Sequence, residues 1–146
     1  MGTLLDSTIF IQLERELSRS SAFVTLQELS SRLQRALGED EDVAIAAITA
    51  SELLHGVHRA SEEHVGRREA FVESILAAFP PIPFDLRCAR VHARLWAELA
   101  RAGSDVGPHD RLVAATALAT GWRVATANVR HYARIRGLEV INPDLS

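Results

Sequence analysis

The stretch from Gly107 to Asn128, GPHDRLVAATALATGWRVATAN, constrains the fold more than any other part of the chain. Pro108 suits the first turn of a helix, where its missing N–H costs nothing. Leu112–Ala119 is apolar on nearly every face, which is typical of a helix buried all round. Gly121 suits the left-handed residue that ends a helix, and Arg123–Ala125 is a predicted short strand. A buried helix that leads directly into a strand indicates α/β architecture.

Other short apolar segments alternate with helical patterns along the rest of the chain. The spacing of apolar residues predicts helices between them, one of which begins after an Asp85 cap and carries Trp96 towards the core. This alternation predicts an α/β protein with a parallel sheet of short strands. The remaining predicted strands are Thr3–Leu5, Val43–Ile48, Ile82–Phe84 and Glu139–Ile141.

Size and composition favour a single globular domain of a cytoplasmic protein. The chain has 146 residues, of which 47% are hydrophobic and 24% charged, and this length is enough to bury a core. No apolar run approaches the ~20 residues that span a bilayer, and the N-terminus lacks the basic region of a signal peptide. The single cysteine, Cys88, excludes an internal disulfide and fits a reducing compartment.

Charge is distributed unevenly along the chain. The net charge of −3 argues against binding nucleic acid over the whole surface. From Arg101 to Arg136, however, six Arg stand against two Asp. We therefore expect a polyanionic partner to approach the C-terminal third.

Three acidic residues occupy similar places in the predicted structure. Asp6 and Glu52 each follow an apolar strand closely, and Asp110 opens the buried helix. Helix capping explains each one separately, with Asp6 as an N-cap and Thr49 and Glu52 as a capping box. Because the carboxyl ends of parallel strands share one edge of a sheet, all three could also converge there.

A cluster of carboxylates requires a counter-charge, because like charges raise one another's pKa values. Mg²⁺ or Mn²⁺ takes oxygen ligands, keeps several waters and bridges to phosphate oxygens. Such an ion also lowers the pKa of a bound water and neutralises charge that develops on a phosphate. The residues therefore favour metal-assisted hydrolysis of a phosphodiester, with the C-terminal Arg residues holding the nucleic-acid backbone.

Four segments together resemble a known family. LLDSTIFI, ITASELLHG, PHDRLVAATALATGW and VATANVRHYARIRGLEVINP look like the successive motifs of PIN-domain ribonucleases, in particular the VapC-type toxins of bacterial toxin–antitoxin pairs. The resemblance spans nearly the whole chain and is weakest over Glu14–Asp42. It implies a single PIN-like domain over residues 1–146, with a three-layer α/β/α sandwich around a short-stranded parallel sheet.

The resemblance also implies the composition of the site. The family's metal-binding, catalytic acids match Asp6, Glu52 and Asp110, and its site-lining polar residues match Ser7, Thr126 and Asn128. A further acid, common in the family three residues after that Asn, is replaced here by His131. Asp105 is the alternative carboxylate nearby, although its predicted loop position makes it the weaker candidate.

The function that the resemblance implies is a Mg²⁺- or Mn²⁺-dependent endoribonuclease. A small cognate VapB-type antitoxin would neutralise it, and homodimers are common in the family. For contacts with RNA we single out Arg111, Arg123 and Arg130, for which an ordinary solvated surface is an equally good explanation.

Two other classes of function compete with this one. A non-catalytic PIN-like binding module is favoured by the loss of an acid at His131. A Mg²⁺-dependent phosphatase is disfavoured, because the sequence Asp6-Ser7-Thr8 lacks the second Asp expected two residues after a phosphoaspartate nucleophile.

Overall fold

The computed structural model describes residues 1–17 and 21–146, the side chains of residues 22–24 excepted. The strands are β1 (Gly2–Leu5), β2 (Asp42–Ala46), β3 (Pro81–Ile82), β4 (Arg123–Ala125) and β5 (Val140–Ile141). The helices are α1 (Ser7–Glu16), α2 (Ala22–Leu37), α3 (Ala47–Arg59), α4 (Val65–Ala78), α5 (Leu86–Arg101) and α6 (Pro108–Thr120), followed by a 3₁₀ turn at Val129–Tyr132.

The five strands form one parallel sheet in the order β3-β2-β1-β4-β5, which confirms the predicted sheet. The central strand is β1, where Leu4 pairs with Ala44 on one side and Val124 on the other. Residues that follow β1 therefore lie between those that follow β2 and β4. This arrangement brings distant parts of the chain to the carboxyl edge of the sheet.

Helices cover both faces of the sheet, and a separate apolar core fills each side. On one side, Leu95 of α5 and Val113 of α6 pack with Leu4 and Val124. On the other side, apolar residues of α1, α2 and α4 pack with Leu5 and Ile45; among them are Phe10, Leu29 and Ile75. The predicted three-layer α/β/α sandwich is thus confirmed.

None of the described helices is both long and apolar enough to cross a membrane.

Several local signals in the sequence have their expected effects. Pro108 begins α6, and Gly121 ends it with a φ of 74° that favours glycine. The Asp85 carboxylate accepts a hydrogen bond of 3.0 Å from the Cys88 amide and caps α5. Strand β4 has the predicted bounds, Arg123–Ala125.

Two predictions for residues 43–52, the C-terminal end of a strand and a capping box, are wrong. The strand predicted over Val43–Ile48 ends at Ala46, and α3 begins at the next residue. The run VAIAAI suits either structure, because it is apolar at every position. Thr49 therefore lies within the first turn of α3 and Glu52 in the second, so they do not form a capping box.

Trp96 was predicted to lie in the core, but 54% of it is exposed. The buried face of α5 is formed by Cys88, Leu95 and Leu99. Trp96 flanks that face, and the Arg111 guanidinium lies over its ring.

Candidate active site

The Asp6 carboxylate does not cap the helix that it precedes. Asp6 is the N-cap residue of α1, yet its side chain accepts no capping hydrogen bond. One of its oxygens instead accepts hydrogen bonds from the hydroxyls of Thr126, at 2.7 Å, and Tyr132, at 3.2 Å. The Ser7 hydroxyl donates to the other oxygen at 3.3 Å. These contacts fix a buried carboxylate at the centre of the carboxyl edge.

Asp110 lies beside Asp6 and shares one of its partners. It belongs to the first turn of α6, and the Tyr132 hydroxyl lies 3.3 Å from its Oδ1 atom. The other carboxylate oxygen lies 3.4 Å from Nδ1 of His131. Because a tyrosine hydroxyl has one proton, Tyr132 can donate to only one of the two acids at a time.

Glu52 completes the acidic group from α3. Its Oε2 atom lies 3.5 Å from Nδ1 of His109. Burial raises the pKa of the Glu52 carboxyl, the neighbouring His109 opposes that rise, and the charges of Asp6 and Asp110 add to it. Burial also raises the pKa of Asp110, and the charge of Asp6 raises it further. The structure therefore brings the three predicted acids into one electrostatic group.

Hydroxyl groups line the floor of this acidic group. Thr126 is fully buried, and besides donating to Asp6 its hydroxyl accepts a hydrogen bond of 3.0 Å from the Asn128 amide. The Thr8 hydroxyl lies 3.2 Å from that of Thr126 and accepts from the Ala127 amide. Ser7 and Thr126 thus lie against Asp6 as predicted, whereas Asn128 contributes its backbone and is exposed.

The donor set fits a hydrated hard cation. Among the described residues, no group of three or more His, Cys, Asp or Glu stands close enough to hold an ion together. Mg²⁺, however, is commonly held by one or two carboxylates and keeps several waters. Asp6 and Asp110, joined through Tyr132, form such a pair of oxygen donors, and their mutual repulsion favours a cation between them.

The three Arg residues predicted to contact RNA lie in different places. Arg111 follows Asp110, and its guanidinium donates a hydrogen bond of 2.7 Å to the Val106 carbonyl. Arg130 is exposed in the turn after Asn128.

Arg123 begins β4, at the opposite edge of the sheet from the acids. There its Nε donates to the Thr3 hydroxyl at 3.0 Å and lies 3.6 Å from Glu41. The structure therefore places Arg123 away from the acids and gives it partners within the chain. The cross-strand partners are far away in the sequence, so no local pattern reveals them.

Three residues of the site were missed in the sequence. His109 immediately precedes Asp110, and Thr8 is the second hydroxyl residue after Asp6, so proximity to a predicted acid was a usable signal for both. Tyr132 had no such signal, because its contact with Asp6 spans 126 positions.

A three-layer sandwich with a parallel sheet and acids at its carboxyl edge defines an α/β protein whose acids lie where open α/β sheets bind their ligands. The chain belongs to the PIN domain family, whose profile matches residues 3–138. The family suggested by the four sequence motifs is thereby confirmed.

Named relatives match two thirds or more of the chain. The chain is 32% identical over 142 residues to "Ribonuclease VapC1" of Rickettsia felis. That alignment covers 97% of this chain and 96% of the relative. The chain is also 33% identical over 98 residues to "tRNA(fMet)-specific endonuclease VapC" of Salmonella typhimurium. That alignment covers 67% of this chain and 73% of the relative.

Solved structures of similar proteins include toxin–antitoxin complexes. A chain of the DNA-bound VapBC from Salmonella typhimurium has a TM-score of 0.79 at 25% identity, covering 97% of both chains. A chain of VapBC-5 from Mycobacterium tuberculosis, a member of the VapBC family of toxin–antitoxin systems, has a TM-score of 0.70 at 29% identity. That likeness covers 96% of this chain and 97% of the other.

Proposed function

We infer that this protein is a metal-dependent endoribonuclease, the toxin of a type II toxin–antitoxin pair. The inference rests on the grouping of Asp6, Glu52 and Asp110 at one sheet edge, in a chain 32% identical to a VapC ribonuclease over nearly its whole length. The proposed cofactor is Mg²⁺ or Mn²⁺. The substrate is RNA, and the reaction is hydrolysis of its phosphodiester bonds.

The acids and the hydroxyl residues of the site have different roles in the proposed reaction. Asp6 and Asp110 would hold the cation, with Glu52 as the third acid of the group. When bound, such an ion would neutralise charge on the phosphate and activate a water. The hydroxyls of Thr126 and Tyr132 keep the Asp6 carboxylate in one orientation. Glu52, which interacts electrostatically with both Asp6 and Asp110, is suited by this place to accept a proton from the attacking water.

The proposed partner is a small antitoxin of the VapB type that covers the acidic edge. The VapBC complexes among the structural neighbours support a partner of this class. A homodimer and a cytoplasmic location are also proposed, on the strength of the family.

Cleavage of RNA by the purified protein tests the proposed function. With Mn²⁺ or Mg²⁺ it should cut RNA, and Asp6→Asn or Asp110→Asn should reduce the rate at least about a hundredfold, because charge stabilisation by a metal is worth several kcal/mol. Asp105→Asn is the matched control, since Asp105 is an exposed acid in the loop before α6 and should keep its activity.

The opposite result favours the binding module. If the wild type and Asp6→Asn were equally inert towards a broad panel of RNAs with both metals, while circular dichroism showed the same fold, the proposed nuclease activity would be refuted.

A further inference from the structure

Four planar side chains form a row that extends from the β3–α5 connection to the first turn of α6. The Phe84 and His92 rings meet edge to face with centroids 5.8 Å apart, and His92 lies 5.7 Å from the Trp96 ring. The guanidinium of Arg111 lies 5.2 Å from the centroid of the Trp96 ring. We call these four residues the planar row.

The planar row is not part of either apolar core. Trp96 is 54% exposed and Phe84 39% exposed, although burial of such large rings is normally favourable. Neither residue belongs to the clusters that fill the two sides of the sheet. Both rings therefore expose a large part of their surface outside the two cores.

One end of the planar row is the sequence neighbour of an acid of the site. Arg111 is the residue after Asp110, so their Cα atoms are about 3.8 Å apart. The Val106 carbonyl and the Trp96 ring hold the Arg111 guanidinium in place. In the described part of the chain no carboxylate lies within ion-pair distance of Arg111, and its buried Nε atom has no hydrogen-bond partner. The positive charge of Arg111 is therefore not neutralised by these residues.

His92 is suited to stack without adding charge to the row. Burial lowers the pKa of its imidazole, and the nearby Arg111 charge lowers it further. The ring is therefore neutral at physiological pH, and the single cation of the row stands at the end next to Asp110.

We propose that the planar row is a stacking platform for unpaired bases of the RNA substrate, with a base on Trp96 and the adjoining phosphate near Arg111. The proposal rests on the proposed function for its substrate. Proteins that read single-stranded RNA stack splayed bases on aromatic rings and on Arg guanidinium planes. The Arg111 cation, at the end of the row next to Asp110, complements the negative charge of the RNA backbone. An apolar contact with another protein would not require a cation there.

Binding of a single-stranded oligoribonucleotide tests the platform. The experiment uses the full chain carrying Asp6→Asn, so that binding is measured without cleavage. Trp96→Ala should weaken binding about tenfold, because stacking of one base on an aromatic ring is worth about 1–3 kcal/mol. Trp96→Phe should restore most of the affinity. An abasic oligomer of the same length should bind equally well to the parent protein and to the Trp96→Ala variant, since it has no bases to stack.

Leu86→Ala is the matched control, because Leu86 is 66% exposed on the same helix and lies outside the planar row. It should leave RNA affinity unchanged. Equal affinity of the Trp96→Ala and parent proteins for the oligoribonucleotide would overturn the proposal. The proposal would also be overturned if Trp96→Ala changed the elution volume in size-exclusion chromatography without a base-dependent loss of RNA affinity. That result would show that the planar row is an interface between copies of the chain.

The two proposals fail in different ways. A wild-type chain that cuts no RNA, yet binds it with a base-dependent loss in Trp96→Ala, would refute the nuclease and support the platform. A chain that cuts RNA while Trp96→Ala has unchanged affinity would refute the platform alone.

Discussion

At the residue scale, Tyr132 connects two acids that repel each other. Its hydroxyl is the one hydrogen-bond donor recorded for both Asp6 and Asp110 in the described chain, while its buried ring packs in the core with Leu95 and Val113. Burial raises the pKa of the Tyr132 hydroxyl, and the charges of Asp6 and Asp110 raise it further, so it remains protonated and can donate. One side chain thus serves the core and the site together.

Tyr132→Phe should keep the packing and remove that donor. A hydrogen bond to a charged group is worth about 1.5–3 kcal/mol, so the free energy of unfolding should fall by about 2 kcal/mol. Urea denaturation at neutral pH with a chelator present measures the loss. An unchanged midpoint would show that the hydroxyl does not stabilise the acid pair.

Asp110 should make stability depend on pH in an unusual direction. Its pKa in the folded chain is raised above the ordinary 3.8 by burial and by the charge of Asp6, so its ionised form opposes folding. This cost is present above the raised folded pKa and disappears as the pH falls below 3.8.

Asp110→Asn should therefore melt at a higher temperature than the wild type at pH 8, in the absence of divalent ions, and the gain should shrink towards pH 4. Thermal unfolding at both pH values measures the difference, and Asp105→Asn, an exposed acid, should show no such pattern. A lower melting temperature for Asp110→Asn at pH 8 would contradict the expected repulsion.

At the scale of the elements, the sequence predicted best those segments that carry their own start and stop signals. Pro108 and Gly121 bound α6, and Asp85 begins α5, because a fixed φ, a left-handed turn and a cap act locally. The junction of β2 and α3 has no such signal. Its apolar residues continue from Ala46 into Ala47, and tertiary packing decides where the strand ends.

The site was predictable only in part for a related reason. Asp6 and Asp110 could be found because acids next to element boundaries in a parallel fold point to one edge. The roles of Tyr132 and Arg123 depend on partners more than one hundred positions away. Trp96 was misplaced because a residue that flanks the apolar face of a helix has the same spacing as one within it.

Helix α3 contains a testable defect in its first turn. Thr49 is fully buried, and its hydroxyl has no hydrogen-bond partner among the described residues. An unsatisfied buried polar group costs about 1–3 kcal/mol, so Thr49→Val, which keeps the branched shape, should raise the free energy of unfolding by about 1 kcal/mol. Chemical denaturation measures the change, and a less stable Thr49→Val variant would show that the hydroxyl is satisfied in solution.

At the scale of the whole molecule, the two edges of the sheet have different tasks. The carboxyl edge holds the acids, which repel one another. The amino edge is held together by Arg123, which joins Thr3 of β1, Glu41 before β2 and Glu139 before β5. The amino edge is therefore stabilised by contacts between opposite charges, whereas like charges repel one another at the carboxyl edge.

Arg123→Met and Arg130→Met should separate these tasks. Arg123→Met should lower the free energy of unfolding by about 1–3 kcal/mol, because it leaves the largely buried Glu41 carboxylate without its cation and with the Thr3 hydroxyl as its remaining recorded partner. RNA affinity should not change. Arg130→Met, at an exposed turn, should alter stability by less than about 0.5 kcal/mol. Chemical denaturation and RNA binding at two salt concentrations measure both variants. Weaker RNA binding by Arg123→Met would show that Arg123 contacts RNA, as predicted from the sequence.

The position of β1 in the middle of the sheet has a consequence for synthesis. Thr3, Leu4 and Leu5 pair with residues 123–125, so β1 has no partner on that side until β4, more than one hundred positions later, has been synthesised. Contacts of such long sequence separation form late, because closing the intervening loop must come first. A nascent chain that stops short of β4 lacks Thr126 and Tyr132, whose hydroxyls orient the Asp6 carboxylate, so the acidic site is completed only after β4 and the turn that follows it have been made.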